Sequence, residues 1–202
     1  LKKGWVLGET LITGIGQGYT QTTPLQLCLM TAQIGNGGYS IKPKIIVNDD
    51  TSNFEKNKKA FKERILNDSK TKLFENSKNI KIVQEAMFSS TNERYGTSYK
   101  SRIDDPKYQF AGKTGTAQVK RISKRERELD LKLEQIPYKD RDHALYVAYG
   151  PYKNPRYALS IIIEHGGSGS RAAAPMAKKL FKLIIDRGEL RKKQPNFKKI
   201  DI

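Results

Sequence analysis

One short segment brings together side chains that can bind an anion. Residues 110–119 read F-A-G-K-T-G-T-A-Q-V, with Lys113, Thr114, Gly115 and Thr116 at the centre. If the segment is a strand, Thr114 and Thr116 share one face because strand residues alternate sides. Gly115 has no side chain, so a ligand or another backbone can approach closely there. Two hydroxyls, a free backbone edge and a nearby ammonium suit a carboxylate lying along the strand. The alternative is that this segment is an ordinary strand without a binding role.

Hydrophobic patterning predicts both helices and strands, and one of the strands is 110–119. Alternating residues around a Gly-Pro turn predict a hairpin of strands 143–149 and 156–164. Thr23, Pro24 and Gln26 form a capping box that begins a helix ending at Gly35. That helix is apolar nearly all round, so we expect it to be buried, with Cys28 as a buried thiol. Further predicted helices span 77–88 and 172–187, and a strand spans 40–47.

The net charge of +17, from 38 Lys and Arg against 21 Asp and Glu, suits an acidic partner, although solvated surface lysines produce the same balance. A basic nucleic-acid-binding module is therefore one hypothesis. The sequence offers it neither aromatic platforms nor a recognition helix with clustered arginines, so we expect no nucleic-acid partner.

Other features speak against cofactors and metals. The glycines at 14, 16 and 18 miss the G-x-G-x-x-G dinucleotide pattern, and we expect them to let backbones pass closely. His143 and His165, interpreted as opposite ends of the hairpin, have no acidic or cysteine cluster beside them, so no metal site is predicted. The single Cys28 excludes an internal disulfide.

The chain starts abruptly with L-K-K-G-W-V, without methionine, and this start is no signal peptide. No run of 18 apolar residues is present. We expect the chain to be a fragment that lacks its front, with any membrane anchor in the missing part.

Several stretches in order resemble one family. They are W-x-x-G-E-T, G-I-G-Q-G-Y, T-P-L-Q, N-G-G, G-K-T-G-T-A-Q, A-Y-G-P-Y-K-N-P, E-H-G-G-S-G-S and A-A-P before a last helix. Together, over about residues 5–186, they resemble the C-terminal half of the transpeptidase domain of class B penicillin-binding proteins, and especially the elongation-specific, rod-shape branch. The K-T-G element is the third motif of these serine enzymes, with S-x-x-K and a Ser-x-Asn type motif as the others.

The resemblance implies an α+β fold, an antiparallel sheet flanked by helices, in which 110–119, 143–149 and 156–164 are strands and the last helix packs on the outer face. It also implies a peptidoglycan D,D-transpeptidase, active as the full-length protein and inhibited by β-lactams. Lys113 and Thr116 would be catalytic, while Thr114, Gly115 and Thr116 would bind the carboxylate of a D-Ala-D-Ala stem peptide. It also implies a bacterial inner-membrane protein with a periplasmic catalytic domain and with cell-elongation membrane proteins as partners. The transpeptidase half would span 1–187, and 188–202 would be a basic, disordered tail. The nucleophilic serine would precede residue 1, leaving this chain inactive by itself.

Alternatives of the same fold are a serine β-lactamase and a penicillin-sensing domain; a further alternative is a non-catalytic binding fragment. The chain also contains Ser69-x-x-Lys72 and Ser77-x-Asn79, which match the first two motifs by letter. A nucleophilic serine needs a desolvated lysine as its base, and both stretches are polar. We interpret them as chance matches.

Overall fold

The computed structural model describes residues 4–43, 71–120, 128–129 and 131–192. The helices are α1 (Leu7–Gly14), α2 (Pro24–Gly35), α3 (Ser77–Asn92) and α4 (Ala174–Lys192), and the strands are β1 (Ala111–Ala117), β2 (His143–Gly150) and β3 (Tyr157–Ile163). A π-helical turn, Gly169–Ala173, leads into α4. The predicted α+β class, the strand carrying K-T-G-T and the hairpin are confirmed.

The three strands form an antiparallel sheet in the order β1-β2-β3. Ala111 pairs with Tyr149 at one end of β1, and Ala117 pairs with His143 at the other. Within the part of the chain that the structure describes, β1 therefore has one strand neighbour and a second, open edge.

Helices cover the two faces of this sheet. On one face, the alternate β2 residues Ala144, Tyr146 and Ala148 pack with α4, where Phe181 stacks on Phe110 at a ring distance of 4.8 Å. On the other face, Tyr149 and Val147 pack with residues of α2 and α3. Because side chains alternate along β2, its residues contribute to two hydrophobic cores, one on each face of the sheet. β2 is also the strand that pairs with β1.

Helix α2 begins as predicted but is not buried all round. Its capping box is present, with the Thr23 hydroxyl accepting from the Gln26 N–H at 3.2 Å. Leu25 and Met30 are 57% and 44% exposed, because only one side of the helix packs on the sheet. Cys28 is half-buried and lies 3.5 Å from the Ala158 carbonyl oxygen, and its partial burial raises the pKa of the thiol.

The buried side of helix α4 matches the predicted one only in part. The predicted apolar side included Met176, Leu180, Phe181, Leu183, Ile184 and Ile185. In the structure Met176, Leu180 and Leu183 are exposed, and the buried positions are Ala174, Ala177, Phe181 and Ile185. Small alanines let the start of the helix lie close to the sheet, and a pattern weighted by large side chains misses that.

The last helix also continues past its predicted end. It runs through Gly188 to Lys192, so the predicted disorder of the tail is wrong for 188–192, and 193–202 lie outside the described residues. Lys107 explains part of this extension, since its ammonium lies 3.1 Å from Asp186 and 3.0 Å from Glu189. Tyr108 also donates to Asp186 at 2.6 Å, which fastens the helix to the segment preceding β1.

Two further expectations need correction, and one helix was missed. Residues 40–43 are not a strand, and the rest of the predicted strand 40–47 lies outside the described residues, as do 48–70. Helix α1 was not predicted. The glycines at 14, 16 and 18 do not let backbones pass closely, because a Cβ added at Gly14 or Gly16 would meet nothing within 4 Å and one at Gly18 would meet only side-chain atoms. Gly16 and Gly18 have φ values of 76° and 84°, so they serve the backbone conformation.

Candidate functional site

The K-T-G-T segment lies in the middle of β1, at the open edge of the sheet. Gly112 shows which way the backbone groups point, because its N–H donates to the Thr91 hydroxyl at 3.0 Å, away from β2. In an antiparallel pair, alternate residues turn both their N–H and C=O groups outward. Thr114 and Thr116 follow Gly112 at intervals of two, so their backbone groups also point to the open edge.

Lys113 and Thr114 form the polar centre of this edge. Lys113 is exposed, and its ammonium donates to the Thr114 carbonyl oxygen at 3.0 Å and to the Thr114 hydroxyl at 3.3 Å. The ammonium thus bends over the strand edge although Lys113 and Thr114 alternate sides. The two threonines share one face of β1, as the period predicted, and their β2 partners are Tyr146 and Ala144.

The π-helical turn approaches β1 at Gly115 through its own first residue, Gly169. The π-helical turn lies against β1 and β2 here: a Cβ added to Gly169 would stand 2.7 Å from the Gly115 carbonyl oxygen and would overlap the Leu145 carbonyl oxygen. A neighbouring backbone does come close at Gly115, but the glycine that allows this approach is Gly169. A Cβ added to Gly115 would meet only the Leu145 Cβ, at 3.3 Å.

A buried hydroxyl cluster supports the strand from behind. Tyr146 is fully buried, and its hydroxyl lies 2.9 Å from that of Thr91 and 3.1 Å from that of Ser98. Burial raises the pKa of Tyr146, while hydrogen bonds with Ser98 and Thr91 oppose that shift. The cluster connects α3, the loop after it and β1 at Gly112, and sequence reasoning missed it because its members are far apart in the chain.

We expect Tyr146→Phe to lower stability by about 1–2 kcal/mol, because it removes a buried hydroxyl and leaves its two partners with fewer hydrogen bonds. Phenylalanine keeps the shape of the ring, so no cavity adds to this cost. The thermal unfolding midpoint of the full-length protein measures the effect. Tyr95 is 80% exposed, and Tyr95→Phe is the control expected to change the midpoint little. Equal midpoints for the two variants would contradict a structural role of the cluster.

The two histidines lie together, contrary to our interpretation. In an antiparallel hairpin the start of the first strand and the end of the second meet, and the rings of His143 and His165 are 4.8 Å apart. His143 Nδ1 accepts from the His165 backbone N–H at 2.9 Å, and His165 Nδ1 bonds the Arg141 carbonyl at 3.0 Å. Among the described residues, no cluster of three or more His, Cys, Asp or Glu side chains is placed to hold a metal ion.

Other candidate positions lie away from β1. A cleft of about 190 Å³ is lined by residues of α1 and the following glycine segment, Glu9, Ile12, Thr13, Gly18 and Tyr19, and includes none of the K-T-G-T residues. Ser77 is the exposed first residue of α3, in agreement with its interpretation as a chance match. Ser69 lies outside the described residues.

Comparison with known proteins decides the family. A family described as "Penicillin binding protein transpeptidase domain" matches residues 1–182. The chain belongs to the penicillin-binding protein transpeptidase domain family. The peptidoglycan D,D-transpeptidase MrdA of Salmonella typhimurium strain SL1344 is 34% identical over 185 residues, 92% of this chain and 28% of that protein. The Escherichia coli K12 protein of the same name is 30% identical over 92% of this chain and 27% of its own length. The chain thus spans less than a third of the length of either relative.

Solved structures of the transpeptidase family agree. Penicillin-binding protein 2 of Pseudomonas aeruginosa, in complex with WCK 5153, has a TM-score of 0.62 and 32% identity over 90% of this chain and 33% of its own. Penicillin-binding protein 2 of Helicobacter pylori, in complex with MreC, has a TM-score of 0.62 and 29% identity over 93% of this chain and 29% of its own. The resemblance to the elongation-type branch is therefore confirmed.

Proposed function

We propose that this chain is the C-terminal half of the transpeptidase domain of a peptidoglycan D,D-transpeptidase that cross-links the cell wall during elongation. The observation that carries the proposal is the open edge of β1, where Lys113, Thr114 and the outward N–H of Thr116 lie together. A family match over residues 1–182 supports it. The proposed transpeptidase half spans 1–187, with 188–202 as a basic C-terminal extension whose first residues are helical.

In this proposal each residue of the edge has a part. Thr114 and Thr116 hold the terminal carboxylate of a D-Ala-D-Ala stem peptide, and Gly115 keeps the strand free of a side chain between them. The N–H of Thr116 is one donor of the oxyanion hole. Preorganised donors of this kind stabilise a transition state by roughly 3–4 kcal/mol each. Lys113 supplies positive potential and bonds the Ser-x-Asn type motif of the family.

The reaction is acyl transfer through a serine of an S-x-x-K motif outside these 202 residues. The serine oxygen attacks the carbonyl carbon between the two D-alanines, the C–N bond breaks, and D-alanine leaves with a proton. An amine of a neighbouring stem peptide then attacks the ester, forms the cross-link and releases the serine. β-Lactams resemble the dipeptide and acylate the same serine, but they are released slowly.

Partners and location follow by analogy. The H. pylori structure contains penicillin-binding protein 2 together with MreC. We propose a corresponding association of this protein with cell-elongation membrane proteins, at the bacterial inner membrane with the catalytic domain in the periplasm. Within the described residues, no helix combines the length and apolarity needed to cross a bilayer. The proposal requires no cofactor, metal or nucleic acid.

Labelling of the full-length protein with a fluorescent penicillin tests the function. We expect one label per molecule, blocked by prior incubation with unlabelled penicillin. A serine β-lactamase would instead hydrolyse excess penicillin with rapid turnover and retain little label. Salt-sensitive retention on DNA without penicillin labelling would favour the nucleic-acid-binding alternative and would contradict the proposal.

A further inference from the structure

A chain of hydroxyl groups leads from α3 to the candidate carboxylate site. The Ser90 hydroxyl lies 3.3 Å from the Thr97 hydroxyl, and Thr97 in turn lies 3.3 Å from Thr114. The Lys113 ammonium reaches the same Thr114 oxygen at 3.3 Å. Thr114 is thus contacted from two directions, by a cation on its own strand and by a hydroxyl on another segment.

The loop that carries Thr97 is held closely against the end of α3. Both the N–H and the hydroxyl of Ser98 donate to the Ser90 carbonyl oxygen, each at 3.0 Å. A Cβ added to Gly96 would stand 2.5 Å from the Ser89 carbonyl oxygen and would overlap that of Ser90. Ser98 also contacts the buried Tyr146 hydroxyl at 3.1 Å. Thr97 is exposed between these two anchored neighbours, so the backbone fixes where its hydroxyl can lie.

The donors and acceptors suggest what this contact does. An ammonium can only donate, so the Thr114 oxygen accepts from Lys113. A hydroxyl has one hydrogen and two lone pairs, so if Thr97 also donates to Thr114, both lone pairs are occupied. The single hydrogen of Thr114 is then left to point at a third group. Ser90 can donate to Thr97, and Thr97 can donate to Thr114, so that all three hydroxyls donate in the same direction.

We propose that Thr97 is a positioning residue of the carboxylate site, which holds the Thr114 hydroxyl with its hydrogen directed at the bound carboxylate. The role rests on the proposed function, since it needs a carboxylate ligand at Thr114. This role is distinct from stabilising the loop. Ser98 and Gly96 hold the loop against α3, while the exposed Thr97 side chain adds few packing contacts. Removing its hydroxyl is therefore expected to change ligand binding more than stability.

Pre-steady-state labelling with fluorescent penicillin, whose ring carboxylate serves as the probe, tests this role in the full-length protein. Varying the penicillin concentration separates the dissociation constant of the initial complex from the acylation rate constant. We expect Thr97→Val to raise the dissociation constant about threefold to tenfold, the value of one net hydrogen bond, and to leave the acylation rate constant within about twofold. Thr97→Ser, which keeps the hydroxyl, is expected to restore binding, and neither variant should change the unfolding midpoint appreciably.

A double-mutant cycle adds a second test. If Thr97 acts through Thr114, the variant Thr97→Val/Thr114→Val should bind penicillin no more weakly than Thr114→Val alone. Wild-type binding by Thr97→Val, equal impairment of the Ser and Val variants, or additive losses in the cycle would each overturn the role. If Thr97→Val does not fold, Thr97→Ala takes its place. Absence of labelling in the wild-type protein would instead overturn the proposed function itself.

Discussion

Replacing Lys113 by alanine in the full-length protein is expected to slow acylation by penicillin about 100-fold or more. The ammonium lies at the open edge of β1, where positive potential would stabilise the developing oxyanion and the ligand carboxylate. Stability should change by less than about 1 kcal/mol, because Lys113 is exposed and its hydrogen bonds reach only the neighbouring Thr114. The measurement is the rate of fluorescent labelling at a fixed penicillin concentration.

A lysine elsewhere in the same sheet region provides the control for Lys113. Lys153 lies exposed in the turn between β2 and β3, and Lys153→Ala removes the same charge from the protein. We expect this variant to label at the wild-type rate. An unchanged labelling rate for Lys113→Ala would show that Lys113 is not part of the site. Equal losses of labelling rate in the two variants would show that Lys113 acts only through the net charge of the protein.

Replacing Thr116 by proline is expected to slow acylation about 100- to 1,000-fold, because proline removes the N–H proposed as an oxyanion-hole donor. The substitution suits this position, since proline is tolerated in edge strands where the missing N–H faces away from the sheet. The preceding residue, Gly115, has no Cβ to clash with the proline ring. The β1–β2 hydrogen bonds should therefore survive, and circular dichroism and the unfolding midpoint check this.

Thr116→Ala is the matched control for the proline variant, because it removes the hydroxyl but keeps the N–H. We expect it to weaken binding modestly and to retain most of the acylation rate. The ratio of the two variants isolates the contribution of the backbone donor. Similar acylation rates for alanine and proline would show that the N–H of Thr116 takes no part.

The parts of the fold that depend on local patterns were predictable. Alternating residues around Gly150–Pro155 specify a hairpin, and Thr23, Pro24 and Gln26 specify the start of α2, because both signals lie within a few consecutive residues. The K-T-G-T strand was found for the same reason. Its free backbone edge was expected from the residues themselves, and the strand order β1-β2-β3 places it at an edge of the described sheet.

The errors concern packing between distant segments. Two sides of α4 carry apolar residues. The side with Ala174 and Ala177 packs on the sheet, because small residues allow the helix to approach the strands closely. The histidines were assigned to opposite ends because the hairpin was considered as a sequence and not as two paired strands. Thr97 was missed because its contact with Thr114 spans 17 positions and leaves no periodic signal.

We propose that this chain supplies the carboxylate-binding and oxyanion-binding side of a penicillin-reactive site whose serine lies outside it. Intact-mass spectrometry with peptide mapping, after incubation with excess benzylpenicillin, tests this on the full-length protein and on the chain of 202 residues in parallel. We expect one adduct per full-length molecule, on a serine of an S-x-x-K motif that precedes this chain, and no adduct on the chain alone. An adduct on Ser69, or an unmodified full-length protein, would contradict it.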